Sequence, residues 1–458
     1  MQALWSDSRR FRTWRRLWLA LARGQKALGL PITDTQIEAI ETHLDDIDID
    51  NARSHEQRLR HDVMAHVHAL ADVAPEAGPI IHLGATSQFV NCNTELLLLR
   101  DAMDTIAAKT VAIIGALGDF AATWRSLPTL GFTHYQPAQP VTVGKRATLW
   151  AQDLWLALEQ LEHCRDTLRF RGIRGATGTQ ASFMALFDND ADKVDELDRF
   201  VTEAMGWPTD RRFPVTGQTY PRVVDAHILG ALAALGAAVH KWATDIRLLS
   251  NLREVEEPFE PTQVGSSAMA YKRNPMRCER ACGMARFVMN LSANALQTAA
   301  VQWMERTLDD SANRRLVLPE AFLAMDGVLD IMRNVAEGLI VNEPVVTARV
   351  RAELPFMATE DMLMEAVRNG ADRQAAHEVI RACSMEALDR VKQGASNDLL
   401  SRLAGHSAFA DIDLEGLLEA SKYIGRAPEQ VDQFLQMVVE PLRERYASQQ
   451  AEVVELEV

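Results

Sequence analysis

The sequence predicts an all-α protein built around a bundle of long helices. Three observations carry that expectation. Proline is absent from Ile80 to Leu127, from Arg222 to Glu257 and from Met276 to Leu318. Proline-free spans of this length, rich in Ala, Leu, Met, Arg and Glu, read as long helices. No segment alternates apolar and polar residues for long enough to require a sheet. Finally, Ile228, Leu232, Leu235, Val239, Trp242, Ile246 and Leu249 fall alternately four and three residues apart, a coiled-coil type of seam.

Taken in order, the chain opens on MQALWSDSRRFRTWRRLW, which has basic residues but no small-residue cleavage site behind an apolar run. It reads as a folded amphipathic helix rather than a secretory signal, a transit peptide or a membrane-surface helix. Residues 1–86 are expected to form a first helical domain, 87–341 the long-helix bundle with a functional loop at 265–275, and 342–458 a third helical domain. The terminal AEVVELEV is acidic and reads as a frayed or extended tail. Within the bundle, the stretch from Ala226 to Val239 is mostly Ala, Gly and Leu off the seam, with His227 the one ionisable exception. A helix apolar on every face is buried on every face, so its flanks are expected to be covered by other subunits.

Composition bounds the function. The 458 residues carry a net charge of −15, with 47% apolar and 24% charged residues. That balance is globular and argues against nucleic acid as a partner, since phosphate-backbone binding needs a basic face. No apolar run approaches the ~20 residues that span a bilayer, so no membrane partner is expected. Five cysteines, Cys92, Cys164, Cys278, Cys282 and Cys383, are an odd number without framework spacing. They point to a reducing compartment, hence a cytoplasmic protein.

Against that acidic background, GSSAMAYKRNPMRCER at 265–280 gathers Lys272, Arg273, Arg277 and Arg280 behind a Gly-Ser-Ser turn. Flexible backbone, two hydroxyls and free amides suit a mobile loop that wraps an anion. Lys272 and Asn274 offer a point charge and an amide donor for a carboxylate. The plainer reading is a loop whose Asn274-Pro275 starts the next helix. His134, beside Thr133 in a Pro/Gly-rich connection, is placed for proton transfer, although a lone histidine is more often structural. RLRHDVMAHVH holds Arg60, His61, Asp62, His66 and His68, but its H-x4-H-x-H spacing argues against a metal site. Thr86 or Ser87 of GATS caps a long helix whose amides would also hold an anion. WMERTLDDSANRR contributes Arg306, Ser311, Arg314 and Arg315, and TGQTYPR contributes Gln218. Cys278 and Cys282, four apart on one helix, read as packing residues.

GSSAMAYKRNP resembles the signature loop of the fumarase/aspartase superfamily. Its continuation PMRCERACGMAR, with LGATSQFVNCNTELLLLRDAMD, SLPTLGFTHYQPAQPVTVGKR, GTQASF, TGQTY and QWMERTLDDSANRR, is similar to the adenylosuccinate lyases, the animal branch above all. The resemblance runs from FRTWRRLW to ELPFMATE. It implies a three-domain helical subunit, a homotetramer with a twenty-helix core, and active sites assembled from three subunits. It also implies a cofactor-free, metal-free C–N lyase that releases fumarate from adenylosuccinate, giving AMP, and from SAICAR, giving AICAR. On that resemblance Ser266 is the general base, His134 the general acid, His61 an assisting histidine and Lys272 a charge that stabilises the carbanion. Arg60, Asp62, Thr86, Ser87, Thr133, Gln218, Asn274, Arg280, Arg306, Ser311 and Arg315 would hold the nucleotide and succinyl groups. Ala270 stands where the signature has proline, which frees the loop and reduces turnover or affinity. An Arg-Tyr pair implied for the phosphate has no match here; either it lies upstream or Arg9 or Arg10 replaces it. The competing readings are another fumarate-releasing lyase of the superfamily, and a non-catalytic helical scaffold that would need none of these side chains.

Overall fold

In the computed structural model, which describes residues 1–449, the chain is mainly helical, with two short antiparallel strand pairings, one of them a hairpin, and an isolated bridge from Phe170 to Arg212 among the described residues. Residues 450–458, including the terminal acidic segment, lie outside the described residues. The chain divides into two compact units. The first comprises 1–109, 156–237 and 283–329, and the second 110–155, 238–282 and 330–458.

The first unit opens on α1 (Asp7–Ala27), capped by the Ser6 side chain, which accepts the Arg9 amide at 3.2 Å. Trp14, Leu17, Trp18 and Leu21 recur at helical spacing and are buried, so the basic N-terminal stretch is a folded amphipathic helix, as its pattern requires. Then come α2 (Asp34–Thr42), α3 (Ile49–Leu59) and α4 (Asp62–Val73). A capping box at Thr33 and Gln36 starts α2. Five long helices follow along the chain and contribute residues to both units: α5 (Ser87–Thr123), α6 (Val143–Thr167), α9 (Val223–Asn251), α10 (Met276–Ala300) and α11 (Asp309–Gly338). Between α6 and α9 lie the short α7 (Ala181–Leu186) and α8 (Ala191–Ala204).

The seam of α9 is buried at all seven positions, none more than 4% exposed. Its other flank is not covered within the chain. His227 and Ala237 are exposed, and a Cβ on Gly230 would meet nothing within 4 Å. By length and hydropathy α5 and α9 could each cross a membrane, which overturns the expectation that no apolar run is long enough. Their apolar windows are 67% and 56% buried inside the protein, the signature of core helices. Cys278 and Cys282 are buried packing residues on α10, as their spacing suggests.

The second unit holds the strands that the sequence did not reveal. β1 (Pro128–Thr133) and β2 (Gln136–Thr142) pair antiparallel, and β3 (Val255–Glu256) pairs with β4 (Ile340–Val341). Pro137 and Pro140 fall within β2, removing two donors and masking its pattern. C-terminal helices α12 (Glu343–Met357), α13 (Thr359–Arg368), α14 (Arg373–Lys392) and α15 (Leu399–Ala404) follow. Met362, Leu363, Ile380, Leu399, Leu403 and Phe409 form their own apolar core. Finally α16 (Ala427–Phe434) and α17 (Glu440–Arg445) are joined by one π turn, and Arg443 ties them to α5 through the Gly115 carbonyl and Asp119.

The first unit also holds two histidines that resist protonation, His66 buried and His82 partly so. His66 stacks on Phe11 at 3.7 Å and meets Trp14 edge-on. Burial, reinforced by Arg15 and Arg10, lowers its pKa to about 4. Burial beside His61 lowers that of His82 to about 4 as well. Unfolding restores ordinary values near 6.5, so the unfolded chain binds more protons between pH 6.5 and 4. Stability should therefore be complete above pH 6.5 and decline as pH falls toward 4, by on the order of 3 kcal/mol for each histidine. Urea unfolding at pH 7, 6 and 5 should show this slope, and His66→Phe, which keeps a stacked ring, should flatten it.

Candidate active site

Four elements of the first unit converge on one polar cluster. Arg60 ends α3 in a left-handed conformation (φ 55°), which turns the chain so that His61 becomes the N-cap of α4. The His61 Nδ1 accepts the Met64 amide at 3.3 Å, so in the neutral ring the proton sits on Nε2. That nitrogen faces the Ser87 hydroxyl at 3.3 Å, at the start of α5. Asp62 accepts its own Val63 amide at 2.8 Å through one oxygen and the Arg315 guanidinium at 2.8 Å through the other. Burial works to raise the Asp62 pKa, but Val63, Arg315 and Arg10 outweigh it and hold the carboxyl below its ordinary range.

The other side of the cluster is the N-terminal end of α11. Gly217 lies so close to Glu305 that a Cβ would sit 2.5 Å from its carbonyl oxygen, and the Gln218 amide donates to that carbonyl at 3.0 Å. Gln218 is thereby fixed beside Arg306. Arg306 reaches Asp310 with contacts of 3.0 and 3.2 Å, and Asp310 also receives Arg222 at 2.6 Å. One turn further, Arg314 is buried against Asp225 at 2.6 Å, Glu95 at 2.9 Å and the Tyr220 hydroxyl. Tyr220 donates to Asp225 at 2.7 Å, and its burial pushes its pKa well up, so it stays protonated. These paired charges form a rigid base from which Ser311 and Arg315 project on the same helix.

Several of these groups were not foreseen. Glu95, Arg222, Asp225 and Asp310 carry no signal in isolation, although Asp310 lies between Arg306 and Arg314, as a pairing residue would. His82, two residues before GATS, has left-handed backbone (φ 67°). Its Nδ1 accepts the Trp18 indole at 2.9 Å, which leaves the proton on Nε2. The metal-like string disperses: His61 faces Ser87, His66 packs on Phe11, and His68 stacks on His55. Thr86 does not cap α5, since its buried hydroxyl has no partner among the described residues. Arg9 is committed to Asp101 at 3.2 Å, whereas Arg10, bonded to Asn91 at 3.1 Å, lies within the field of Arg315, Glu95 and Asp62.

The second unit carries the remaining expected residues. His134 and Tyr135 are the two central residues of the β1–β2 turn, with φ of 52° and 58°, and Thr133 pairs with Gln136 across it. This conformation normally selects Asn-Gly. Non-glycine residues held there cost on the order of 1–3 kcal/mol each, a strain typical of functional positions. The loop before α10 bears the others. The Ser266 hydroxyl oxygen accepts the amides of Ala268 and Met269 at 3.4 and 3.2 Å. Asn274 donates to the Gly265 carbonyl at 2.7 Å, closing the loop's neck. Gly265 is obligatory, because a Cβ would stand 2.1 Å from the Lys272 carbonyl oxygen. Lys272, Ala270 and Arg280 are exposed. Among the described residues no hydrogen bond or ring contact joins His134 to this loop, and no cluster of His, Cys, Asp and Glu is arranged to hold a metal.

Known proteins resemble this chain in sequence and in fold. A family described as lyase matches residues 3–290, and one described as adenylosuccinate lyase C-terminus matches 355–434. The chain is 53% identical to an adenylosuccinate lyase of Schizosaccharomyces pombe, covering 95% of this chain and 91% of the relative. It is 49% identical to one of Schistosoma mansoni, over 96% and 92%. Among solved structures, a fumarate lyase from Mesorhizobium sp. BNC1 superposes with a TM-score of 0.80 at 23% identity, over 95% of this chain and 97% of the other. A 3-carboxy-cis,cis-muconate lactonizing enzyme from Pseudomonas putida gives 0.81 at 24%, over 97% of each. At these identities the structures speak for the fold, and the sequence relatives for the family: the chain belongs to the adenylosuccinate lyases.

Proposed function

We propose that this lyase removes fumarate from adenylosuccinate, giving AMP, and from SAICAR, giving AICAR, with Ser266 as base and His134 as acid. The observation that carries the reading is the pair of amides aimed at the Ser266 oxygen. Developing negative charge there is stabilised by fixed dipoles, which lowers the pKa of the hydroxyl when the loop closes on substrate. Ser266 takes the proton from the carbon beside a succinyl carboxylate. The electron pair is held as an aci-carboxylate by Lys272 and by the second N–H of Asn274. As the C–N bond breaks, His134 returns a proton to the departing nitrogen, leaving fumarate and a neutral amine. His61, fixed as the Nε2–H tautomer, assists beside Ser87 near the phosphate. Arg60, Asp62, Thr86, Thr133, Gln218, Arg280, Arg306, Ser311 and Arg315 hold the remaining groups. Arg10, close to Arg315 and Asp62, is the better placed of the two N-terminal arginines to add a phosphate contact.

The reading includes a homotetramer in which three subunits complete each site. Support comes from the uncovered flank of α9 and from Phe287, Leu296, Val301 and Leu316, exposed apolar residues on or beside α10 and α11. The division into 1–86, 87–341 and 342–458 belongs to the same proposal, supported by the separate C-terminal core. Five free thiols support a cytoplasmic setting. The test offers the purified protein adenylosuccinate, SAICAR, argininosuccinate and malate, follows fumarate spectroscopically, and weighs the particle by light scattering. Cleavage of the first two by a particle near four times 51.0 kDa is expected. Cleavage of argininosuccinate alone, or a fully active monomer, contradicts the proposal.

A further inference from the structure

The loop before α10 contains more cations than the reaction uses, and the geometry points to a separate task for one of them: we infer that Arg277 is a positioning residue that locks the two ends of the loop together. This rests on the reading of Ser266, Lys272 and Asn274 as site residues. Arg277 occupies the first turn of α10, and its side chain is 4% exposed. One end of its guanidinium donates to the Pro258 carbonyl, and the other grips both oxygens of Glu260 at 2.6 and 2.8 Å. Pro258 and Glu260 lead into the loop, whereas Arg277 leads out of it. The excursion 261–276 therefore starts and ends at one side chain.

A second carboxylate reinforces the joint. Glu257, itself buried, accepts the amides of Arg277 and Cys278 through its two oxygens at 3.0 and 2.9 Å. Two otherwise unpaired amides at the start of α10 are thereby tied to the residue just ahead of Pro258. Arg273, another cation of the string, lies over the Phe259 ring at 5.0 Å and adds a contact across the same base. Above this base the neck is closed by Asn274 on Gly265, and only 266–273 project beyond it. A loop hinged on a fixed base has few ways to close, so less conformational freedom is lost when Ser266 meets substrate. Arginine suits the joint because two separate nitrogens of its rigid fork reach the carbonyl and the carboxylate, whereas a lysine would have to serve both from one nitrogen on a flexible stem.

The test uses Glu260→Ala and Arg277→Lys in the intact protein. Glu260 is 54% exposed and makes no contact with the expected substrate ligands, so its removal should leave folding intact. Both variants should keep the wild-type particle mass, and their thermal midpoints are measured so that activity is referred to the folded fraction. Turnover should fall about tenfold, since small displacements of reacting groups cost rate steeply. Trypsin should cut the ligand-free loop after Lys272 and Arg273 faster than in wild type, a readout independent of activity. Unchanged turnover and unchanged cleavage overturn the inference, as does activity that falls only in step with the folded fraction. If Ser266→Ala remains active the site reading fails instead, and the cleavage rates still decide whether Arg277 locks the loop.

Discussion

Ser266→Ala should abolish turnover and leave substrate binding largely intact. The expected loss is ~10²–10⁴-fold, the range typical when a proton-transfer group is removed. The change deletes one hydroxyl from a loop position that is only partly buried, so folding has little to lose. The groups proposed to recognise substrate charge remain: Lys272 and Asn274 on the same loop, and Arg306 and Arg315 on the paired base at the start of α11. Binding constants from calorimetry with the inactive variant should therefore stay close to the wild-type KM, while kcat collapses. A variant retaining more than about a tenth of wild-type turnover removes Ser266 from the role of base. The amides of Ala268 and Met269 sharpen the expectation, because they would stabilise an oxyanion at position 266 and nowhere else on the loop.

How much of this was legible in the sequence depends on the kind of signal. The long helices were, because proline is excluded from helix interiors and its absence over tens of residues leaves few alternatives. The α9 seam was legible because apolar spacing encodes burial directly. The β1–β2 hairpin was hidden. Pro137 and Pro140 disguise its second strand, and His134-Tyr135 is not a sequence that announces a left-handed turn. Among the proposed site residues, those with distinctive side-chain chemistry stood out: Ser266, Lys272, His61 and His134. The partners that hold Arg306 and Arg314 did not. Asp225, Glu95 and Arg222 are defined by what they touch across more than eighty residues of chain, and spacing carries no trace of that, whereas Asp310 has a local hint in Arg306 four residues before it. The same holds for Arg277, which reads as one more cation of an anion-binding string until its fork is seen bridging Pro258 and Glu260.

Length and hydropathy alone do not decide the membrane question. Hydropathy along α5 and α9 reaches what a bilayer span shows, and only tertiary burial separates a core helix from a membrane helix. His82 was overlooked because its importance lies in its backbone and its Trp18 partner. Both place a neutral donor beside His61, and neither is written in the local sequence.

The central claim is a site whose acid and base come from different copies of the chain, and subunit mixing tests it most directly. His134→Ala and Ser266→Ala proteins, each inactive alone, are combined under mild dissociating conditions and returned to native buffer. Mass spectrometry of the intact particles then verifies that mixed tetramers have formed. Every chain in the mixture carries a lesion, so a site confined to one chain can never be repaired. A site that draws His134 from one subunit and Ser266 from its neighbour is restored wherever the two intact residues meet. The account predicts recovered fumarate release that rises with the fraction of mixed tetramers. Verified mixed tetramers that stay as inactive as their parents would contradict it.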